Sequence, residues 1–177
     1  MTIKRSFPPN VNPATRLLVL GSLPGERSLA EQRYYAHPQN QFWALMSGVI
    51  GCDLAALDYE ARLAALLASG VGLWDVIASA RRAGSSDAAI RDFHANDLAG
   101  LVASLPSLRA IAFNGATALK HGQRQLGPLV GTVAIVALPS SSPLHTIGRA
   151  AKQPAWDQLR AFLPLGRQTG LASAAPP

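Results

Sequence analysis

The sequence is poor in cysteine and in acidic residues, and it has no long apolar run. Its one cysteine, Cys52, excludes an internal disulfide and any all-cysteine metal site, so we expect it to be a small buried side chain. The longest apolar run, at residues 133–138, is far shorter than the roughly 18 residues that span a bilayer. The charged amino terminus has no apolar stretch behind it, which predicts no signal peptide, no membrane partner and a cytoplasmic protein.

The rest of the composition is typical of a globular enzyme. Of 177 residues, 49% are hydrophobic and 15% are charged, a balance that excludes the disordered and fibrous classes. This length predicts a single domain, which we place at residues 1–164 and expect to be monomeric. Residues 165–177 have no hydrophobic period and are predicted to form a flexible tail.

Positive charge is concentrated in the second half of the chain. Residues 1–97 contain nine basic and nine acidic side chains, whereas residues 98–177 contain seven basic and one acidic. The net charge of +6 therefore lies entirely in that half. Such asymmetry favours a polyanionic partner, most simply nucleic acid, although an arginine-rich composition alone would also produce it.

Nearly continuous apolar runs alternate with segments of helical spacing. The runs at residues 16–21, 108–115 and 132–139 predict strands covered on both faces, and segment 71–77 fits either a strand or a buried loop. The predicted helices lie at residues 42–51, at residues 54–70 behind a capping Asp53, at residues 98–105, and from Pro154 in a first helical turn onward. Strands separated by helices predict a parallel sheet with helices on both sides.

Each predicted strand is followed by an unusual polar or glycine-containing segment. These are Gly-Ser-Leu-Pro-Gly at residues 21–25, Phe-Asn-Gly at residues 113–115 and Pro-Ser-Ser-Ser-Pro-Leu-His at residues 139–145. Ligands of parallel sheets bind beyond the carboxyl ends of the strands, so the three segments predict one shared site. Glycines in the first segment can bring backbone amides close to a ligand.

A ten-residue block, Tyr-Tyr-Ala-His-Pro-Gln-Asn-Gln-Phe-Trp at residues 34–43, contains two further candidates. Pro38 suits a first helical turn and would place Asn40 near a helix N-terminus, where a carboxamide can orient a water. A simple turn or cap is the alternative for Asn40. Of Tyr34 and Tyr35, one is expected to be buried and the other is free to stack on a base, with core packing as the alternative.

Polar residues in the other two segments suit nucleic-acid contacts. Asn114 follows a buried strand, and its amide has both the donor and the acceptor needed to read a base edge, unless it only ends the strand in a turn. Ser140, Ser141 and Ser142 suit phosphate oxygens, and Leu144 suits insertion between base steps. Serine and proline clusters also form ordinary turns, which is the alternative here.

Covalent and metal chemistry are disfavoured. No Gly-x-Ser-x-Gly elbow surrounds residues 140–142, which argues against a serine nucleophile acting with His145 and Asp75. The four histidines lack metal-ligand spacing, and we expect neither a metal nor another cofactor. Asp75 lies in an apolar stretch and is interpreted as a hydrogen-bonding structural acid rather than a catalyst.

Taken in order, these motifs resemble the uracil-DNA glycosylase superfamily and, within it, the hypoxanthine-DNA glycosylase branch. The resemblance covers about residues 16–162 and includes Gly-Leu-Trp-Asp-Val at residues 72–76. It implies an α/β fold, a three-layer α/β/α sandwich with a central, mostly parallel sheet. It also implies an enzyme that flips a deaminated base, most simply hypoxanthine, out of damaged DNA and hydrolyses its N-glycosidic bond.

The resemblance implies roles for particular residues. Leu23 stands where mismatch-type relatives have an asparagine that positions a water. In the hypoxanthine branch that catalytic role belongs to the asparagine of the His-Pro-x-Asn block, here Asn40. The aromatic residue that stacks on the flipped base would be Tyr35, and the amide that reads it would be Asn114.

Further residues complete the expected contacts with the base and with DNA. The last motif begins with serine where several relatives have a catalytic histidine, so His145 is assigned to the DNA backbone and Leu144 to the wedge of that loop. The residues expected to contact the base are Gly21, Leu23, Tyr35, Phe42 and Asn114. The residues expected to contact DNA are Ser140, Ser141, Ser142, Leu144, His145, Arg149 and Lys152. Two other functions stay open: a uracil-DNA glycosylase of the same fold, and a non-catalytic module that binds damaged DNA.

Overall fold

The computed structural model describes residues 2–127 and 131–164, which form two β-sheets and six α-helices. The strands are β1 (Ile3–Arg5), β2 (Leu17–Gly21), β3 (Val71–Asp75), β4 (Ile77–Arg81), β5 (Arg91–Ala95), β6 (Ala110–Asn114) and β7 (Ala134–Leu138). The helices are α1 (Glu26–Glu31), α2 (Phe42–Ile50), α3 (Tyr59–Ala68), α4 (Leu98–Ala103), α5 (Ala116–Leu126) and α6 (Arg149–Asp157). The predicted tail at residues 165–177 lies outside the described residues.

The central sheet consists of four parallel strands in the order β3-β2-β6-β7. These strands confirm the three predicted ones, and the ambiguous segment 71–77 supplies the fourth. Every residue of β2 and β6 is buried, as expected for inner strands covered on both faces. The chain places β3 on one side of β2 and β6 on the other, and ligands of such sheets bind where the strand order reverses.

Helices cover both faces of the central sheet, which confirms the three-layer α/β/α arrangement. One core contains Leu17 and Val19 of β2 with apolar residues of α2, α3 and α6. The other contains Leu18 and Leu20 with apolar residues of α4 and α5. Because successive strand side chains point to opposite faces, one strand contributes to both cores. No helix among the described residues is long and apolar enough to cross a membrane.

A second, antiparallel sheet in the order β1-β4-β5 is absent from the sequence-based prediction. Only Val76 separates β3 from β4, so the two sheets follow each other directly along the chain. Every residue of β5 is exposed, and the strand therefore lacks the apolar pattern that would indicate it. This sheet carries the chain from the central sheet to one wall of the site described below.

Two helix predictions are wrong in detail. The helix expected behind Asp53 is a short 3-10 turn followed by α3, and the side chain that caps α3 is Asp58, which accepts the Ala61 N–H at 2.9 Å. The last helix begins at Arg149, so Pro154 lies in its interior rather than in its first turn.

The expected burial of Cys52 is also wrong, because this cysteine is exposed. Helix α2 ends at Ile50 and is capped by Gly51, which has a φ of 68° in the left-handed region. That turn directs the next residues along the surface, so Cys52 does not contribute to either core.

Candidate active site

A cavity of about 510 Å³ opens at the carboxyl ends of the central strands. Its walls come from the segments that follow β2, β6 and β7, from residues 34–40 and from residues 85–88. The predicted site residues on these walls are Gly21, Leu23, Tyr35, Asn40, Asn114, Ser140, Ser141, Ser142, Leu144 and His145. The structure thus brings most of the predicted site residues together, whereas Phe42, Arg149 and Lys152 are not on the cavity wall.

Two strand ends form the floor of the cavity. Gly21 ends β2 and Asp75 ends β3, and the two residues are partners in the parallel register. A Cβ atom at position 21 would lie only 2.7 Å from Asp75 Oδ1 and 3.3 Å from the Tyr35 hydroxyl. Glycine at position 21 is therefore required for Asp75 and Tyr35 to approach the strand end.

Asn40 lies two residues before α2, slightly outside the helix that Pro38 was expected to begin. Its Oδ1 accepts the backbone N–H of Phe42 at 3.0 Å. Asn40 therefore forms the turn before α2, as the alternative interpretation predicted, and it also lines the cavity. Because the hydrogen bond fixes the carboxamide plane, the side chain is preorganised toward whatever occupies the cavity.

Tyr35 has a φ of 52°, a left-handed conformation that is uncommon for an aromatic residue. One face of its ring stacks on Phe42, with centroids 3.9 Å apart and an interplanar angle of 15°. Phe42 is fully buried beneath that ring, so its predicted contact with the base is wrong: the side chain supports Tyr35 from the core. Burial raises the pKa of the Tyr35 phenol above its ordinary value, and the ring stays neutral.

Both the nitrogen and the oxygen of the Asn114 side-chain amide form hydrogen bonds. Its Nδ2 donates to Ser141 Oγ at 2.8 Å and to the Tyr35 hydroxyl at 3.3 Å. Its Oδ1 accepts the backbone N–H of Ser141 at 2.8 Å, which also fixes which end of the amide carries the oxygen. Ser141 is 1% exposed, so its predicted contact with DNA is wrong: the hydroxyl faces inward and holds Asn114.

The rest of the segment at residues 139–145 forms an ordered turn at the rim of the cavity. Ser140 Oγ accepts the N–H of Ser142 at 3.1 Å, and Ser142 Oγ accepts the N–H of Leu144 at 3.2 Å. The Leu144 side chain is 64% exposed at the tip of this turn. His145 also lines the cavity, and its Nε2 is buried without a hydrogen-bond partner among the described residues.

The two predicted cations of α6 have different surroundings. Arg149 is exposed at the first residue of the helix. Lys152 is completely buried, and its Nζ donates to the backbone oxygen of His145 at 3.0 Å. The predicted contact of Lys152 with DNA is therefore wrong: the amine supports the rim from inside, and burial lowers its pKa.

The loop at residues 22–25 is shaped by a buried arginine that the sequence did not single out. The guanidinium of Arg82 donates to the backbone oxygens of Leu23 at 3.2 Å, of Pro24, and of Gly84 at 3.0 Å. Leu23 itself is nearly buried against Ile77 and contributes an apolar surface to the cavity. Arg82 thus fixes the position of that surface.

Asp75 was interpreted from the sequence as a structural acid, but its position makes it a candidate functional residue. It is 4% exposed and lines the cavity, and its Oδ2 has no hydrogen-bond partner in residues 2–127 and 131–164. Burial, and to a smaller extent the charge of Asp87, raise the pKa of its carboxyl group to about 7, while Arg82 lowers it. The available signal was an acidic residue in an apolar stretch, which was interpreted as a hydrogen-bonding structural acid.

Comparisons with known proteins identify the family of this chain. The sequence model of the Uracil DNA glycosylase superfamily matches residues 8–160. Two relatives are named hypoxanthine DNA glycosylase: a Methanosarcina acetivorans protein is 38% identical over 88% of this chain and 96% of its own. A Methanosarcina barkeri protein is 42% identical over 63% of this chain and 71% of its own.

A solved structure is also similar to this chain. The solution NMR structure of a Methanosarcina acetivorans protein matches with a TM-score of 0.79 and 36% identity, covering 91% of this chain and 99% of that one. With the family match over residues 8–160, this similarity means that the chain belongs to the uracil DNA glycosylase superfamily.

Proposed function

We propose that this chain is a DNA glycosylase that hydrolyses the N-glycosidic bond of hypoxanthine in DNA, with Asn40 positioning the attacking water. The observation that carries the proposal is the presence of Asn40, Tyr35 and Asn114 around one cavity at the carboxyl end of the sheet. The two Methanosarcina proteins named hypoxanthine DNA glycosylase support the choice of base.

The cavity suits a base that has been flipped out of the helix. Its volume of about 510 Å³ lies within the range of small-molecule sites and is larger than a purine needs. Because Phe42 covers one face of the Tyr35 ring, the opposite face is the surface on which a flipped base would stack. Flipping costs a few kcal/mol and costs least at a mismatch, such as hypoxanthine opposite thymine.

Hydrolysis in this site needs no covalent intermediate. When the bond between the sugar C1′ and the base N9 breaks, its electron pair goes to the base and positive charge develops on the sugar. A water then forms the new bond to C1′, and the proton that it loses passes to the solvent, from which the departing base anion takes up a proton to become neutral. One lone pair of Asn40 Oδ1 is used by Phe42, and the other lone pair can accept a hydrogen from that water and aim its oxygen at C1′. A preorganised group of this kind contributes about 10²–10³ in rate.

The rim of the cavity would hold the DNA around the flipped nucleotide. The exposed Leu144 side chain is placed to fill the space that the base leaves, as apolar wedges do between base steps. The hydroxyl protons of Ser140 and Ser142 can donate to phosphate oxygens, because both hydroxyls use only their acceptor side within the turn. We infer that the protein acts as a monomer on damaged DNA, with duplex DNA as the main substrate and single-stranded DNA as the alternative.

The test is release of the free base from a duplex with one deoxyinosine opposite thymine, followed by strand cleavage at the abasic site. We expect release by the wild-type chain and a loss of at least about 100-fold in the single-turnover rate for Asn40→Ala. A parallel duplex with uracil distinguishes the two glycosylase activities of this fold. Binding of either duplex without an abasic product would contradict the proposal and favour a non-catalytic module.

Two further variants separate catalysis from folding. Asn40→Ser keeps a side-chain oxygen that can accept the Phe42 N–H but loses the carboxamide, so we expect it to fold normally and remain slow. Gln39→Ala removes the neighbouring amide, which is exposed and outside the cavity wall, and should keep the wild-type rate. Normal release by Asn40→Ser would remove the assigned role from the carboxamide.

A further inference from the structure

An unpartnered carboxyl group lies on the floor of the cavity. Asp75 ends β3 beside Gly21, and its Oδ2 is buried with no donor in the described parts of the chain. A buried polar group without a partner is costly, and a buried carboxylate more so. A group with this placement is explained if a ligand supplies the missing donor, since it lines the cavity that the ligand would enter.

Two other polar side chains on the cavity wall, Asn114 and Asp87, already have hydrogen-bond partners. Asn114 uses both hydrogens of its amide and accepts the Ser141 N–H. Asp87, the other carboxyl group on the cavity wall, accepts the hydroxyl hydrogen of Ser22 at 2.7 Å. Asp75 is therefore better placed than Asn114 to meet a donor on the base, although the sequence favoured the amide for that task.

We propose that Asp75 determines the specificity of this site, because its carboxylate accepts the ring N1–H that deamination of adenine creates in hypoxanthine. This inference rests on the proposed function and names the group that selects its substrate. Adenine has an unprotonated N1 at that position, so an acceptor would face an acceptor and the interaction would be repulsive. Guanine shares the N1–H, but its pairing with cytosine makes it harder to flip than a mismatched base.

The charge state of Asp75 gives the inference a pH dependence. Burial raises the pKa of its carboxyl group to about 7, so the acceptor-only carboxylate forms as the pH rises through neutrality. Preference for hypoxanthine should therefore increase between about pH 6 and pH 8. The charged and titratable groups that face Asp75 or share its cavity are Arg82, Asp87, Tyr34, Tyr35, Arg27, His37 and His145.

The experiment compares wild type with Asp75→Asn on two duplexes that differ only at the lesion, with hypoxanthine or unsubstituted purine opposite thymine. Unsubstituted purine is attached through the same N9 but has no N1–H. For each pair we measure the half-saturating protein concentration by fluorescence anisotropy and the single-turnover rate of base release. We expect Asp75→Asn to lower the rate divided by the half-saturating concentration about 10- to 100-fold for hypoxanthine, and less than threefold for purine.

The matched control is Asp92→Asn, an equal change of charge at an exposed residue of β5 outside the cavity, where asparagine tolerates the φ of 47°. Asp92→Asn should leave the single-turnover rate and the half-saturating concentration unchanged on both duplexes. Equal losses on both duplexes, no loss on either, or a hypoxanthine preference that falls with rising pH would overturn the assignment of Asp75. Failure of the wild type to release hypoxanthine would instead overturn the proposed function, so the two failures are distinguishable.

Discussion

Asn114 and Ser141 are joined by two hydrogen bonds, one in each direction and each 2.8 Å long. They connect the end of β6 with the turn that follows β7, two parts of the cavity wall that are 27 residues apart in the chain. The same Asn114 amide donates to the Tyr35 hydroxyl, so one side chain links three segments of the site. The pair therefore holds the cavity in shape before any ligand enters.

Replacing the serine of this pair tests that role. Ser141→Ala removes the acceptor of Asn114 Nδ2 and keeps the backbone donor to Oδ1. We expect a loss of about 1–2 kcal/mol in the free energy of unfolding and a slower single-turnover rate, because a buried donor is left unsatisfied and the wall loosens. Ser104→Ala is the control, since that hydroxyl bonds the backbone of α4 at the surface. An unchanged free energy of unfolding in Ser141→Ala would mean that the hydrogen bond between Asn114 and Ser141 Oγ makes no net contribution to stability.

The stacked pair of Tyr35 and Phe42 leads to a second prediction. Phe42→Leu removes the ring that stacks on Tyr35. We expect a loss of about 1–2 kcal/mol in the free energy of unfolding together with weaker binding of the lesion duplex. Leu66→Ala is the comparison, because it destabilises the same core from α3, outside the cavity. Equal effects of both variants on lesion binding would show that Phe42 acts only through global stability.

A third prediction separates the two cations of α6. The salt dependence of DNA affinity measures how many phosphate charges a protein neutralises. Arg149→Met should reduce the slope of log affinity against log salt concentration by about 0.9, as expected for one phosphate contact. Lys152→Met should leave the slope unchanged, because its amine is buried against His145, while loosening the rim. A reduced slope for Lys152→Met would contradict the inward position of that side chain.

The sequence predicted the parts of this molecule that depend on local patterns. Continuous apolar runs identified the central strands, and the rule that parallel sheets bind ligands at the carboxyl ends of their strands predicted that the segments at residues 21–25, 113–115 and 139–145 share one site. All three segments line the cavity. The errors at the site concern the direction of side chains within correct motifs. Phe42 and Lys152 are buried beside the cavity, and the hydroxyl of Ser141 on the cavity wall bonds Asn114. Sequence proximity does not say which way a side chain faces.

The second sheet and its effect on the site could not be predicted for a related reason. Its strands are short, and every residue of β5 is exposed, so their pairing depends on contacts between distant segments rather than on a continuous apolar pattern. Arg82 directly follows β4 of that sheet, and Asp87 lies in the connection between β4 and β5. The charges of these two residues shift the pKa of Asp75 in opposite directions. The carboxyl group looked structural in the sequence because those partners lie in a part of the fold without a local signature.

A last prediction concerns how ionisation of Asp75 lowers the free energy of unfolding. Its pKa is about 7 when folded and about 3.8 when exposed, so the folded state binds the proton more tightly than the unfolded state. Folding is therefore penalised as the pH rises from about 4 to 7, and the difference of about 3 pKa units corresponds to about 4 kcal/mol at higher pH. Asp75→Asn removes the charge and the penalty.

Denaturant unfolding at several pH values checks this linkage. The stability of Asp75→Asn relative to wild type should increase from pH 4 to pH 7 and then stay constant, and Asp92→Asn should show no such increase. A constant difference, or a wild type that gains on the variant above neutrality, would contradict the buried carboxylate. The same substitution is expected to weaken the recognition of hypoxanthine. A variant that is more stable at pH 8 and less selective would therefore identify Asp75 as a group retained for its function at the expense of stability.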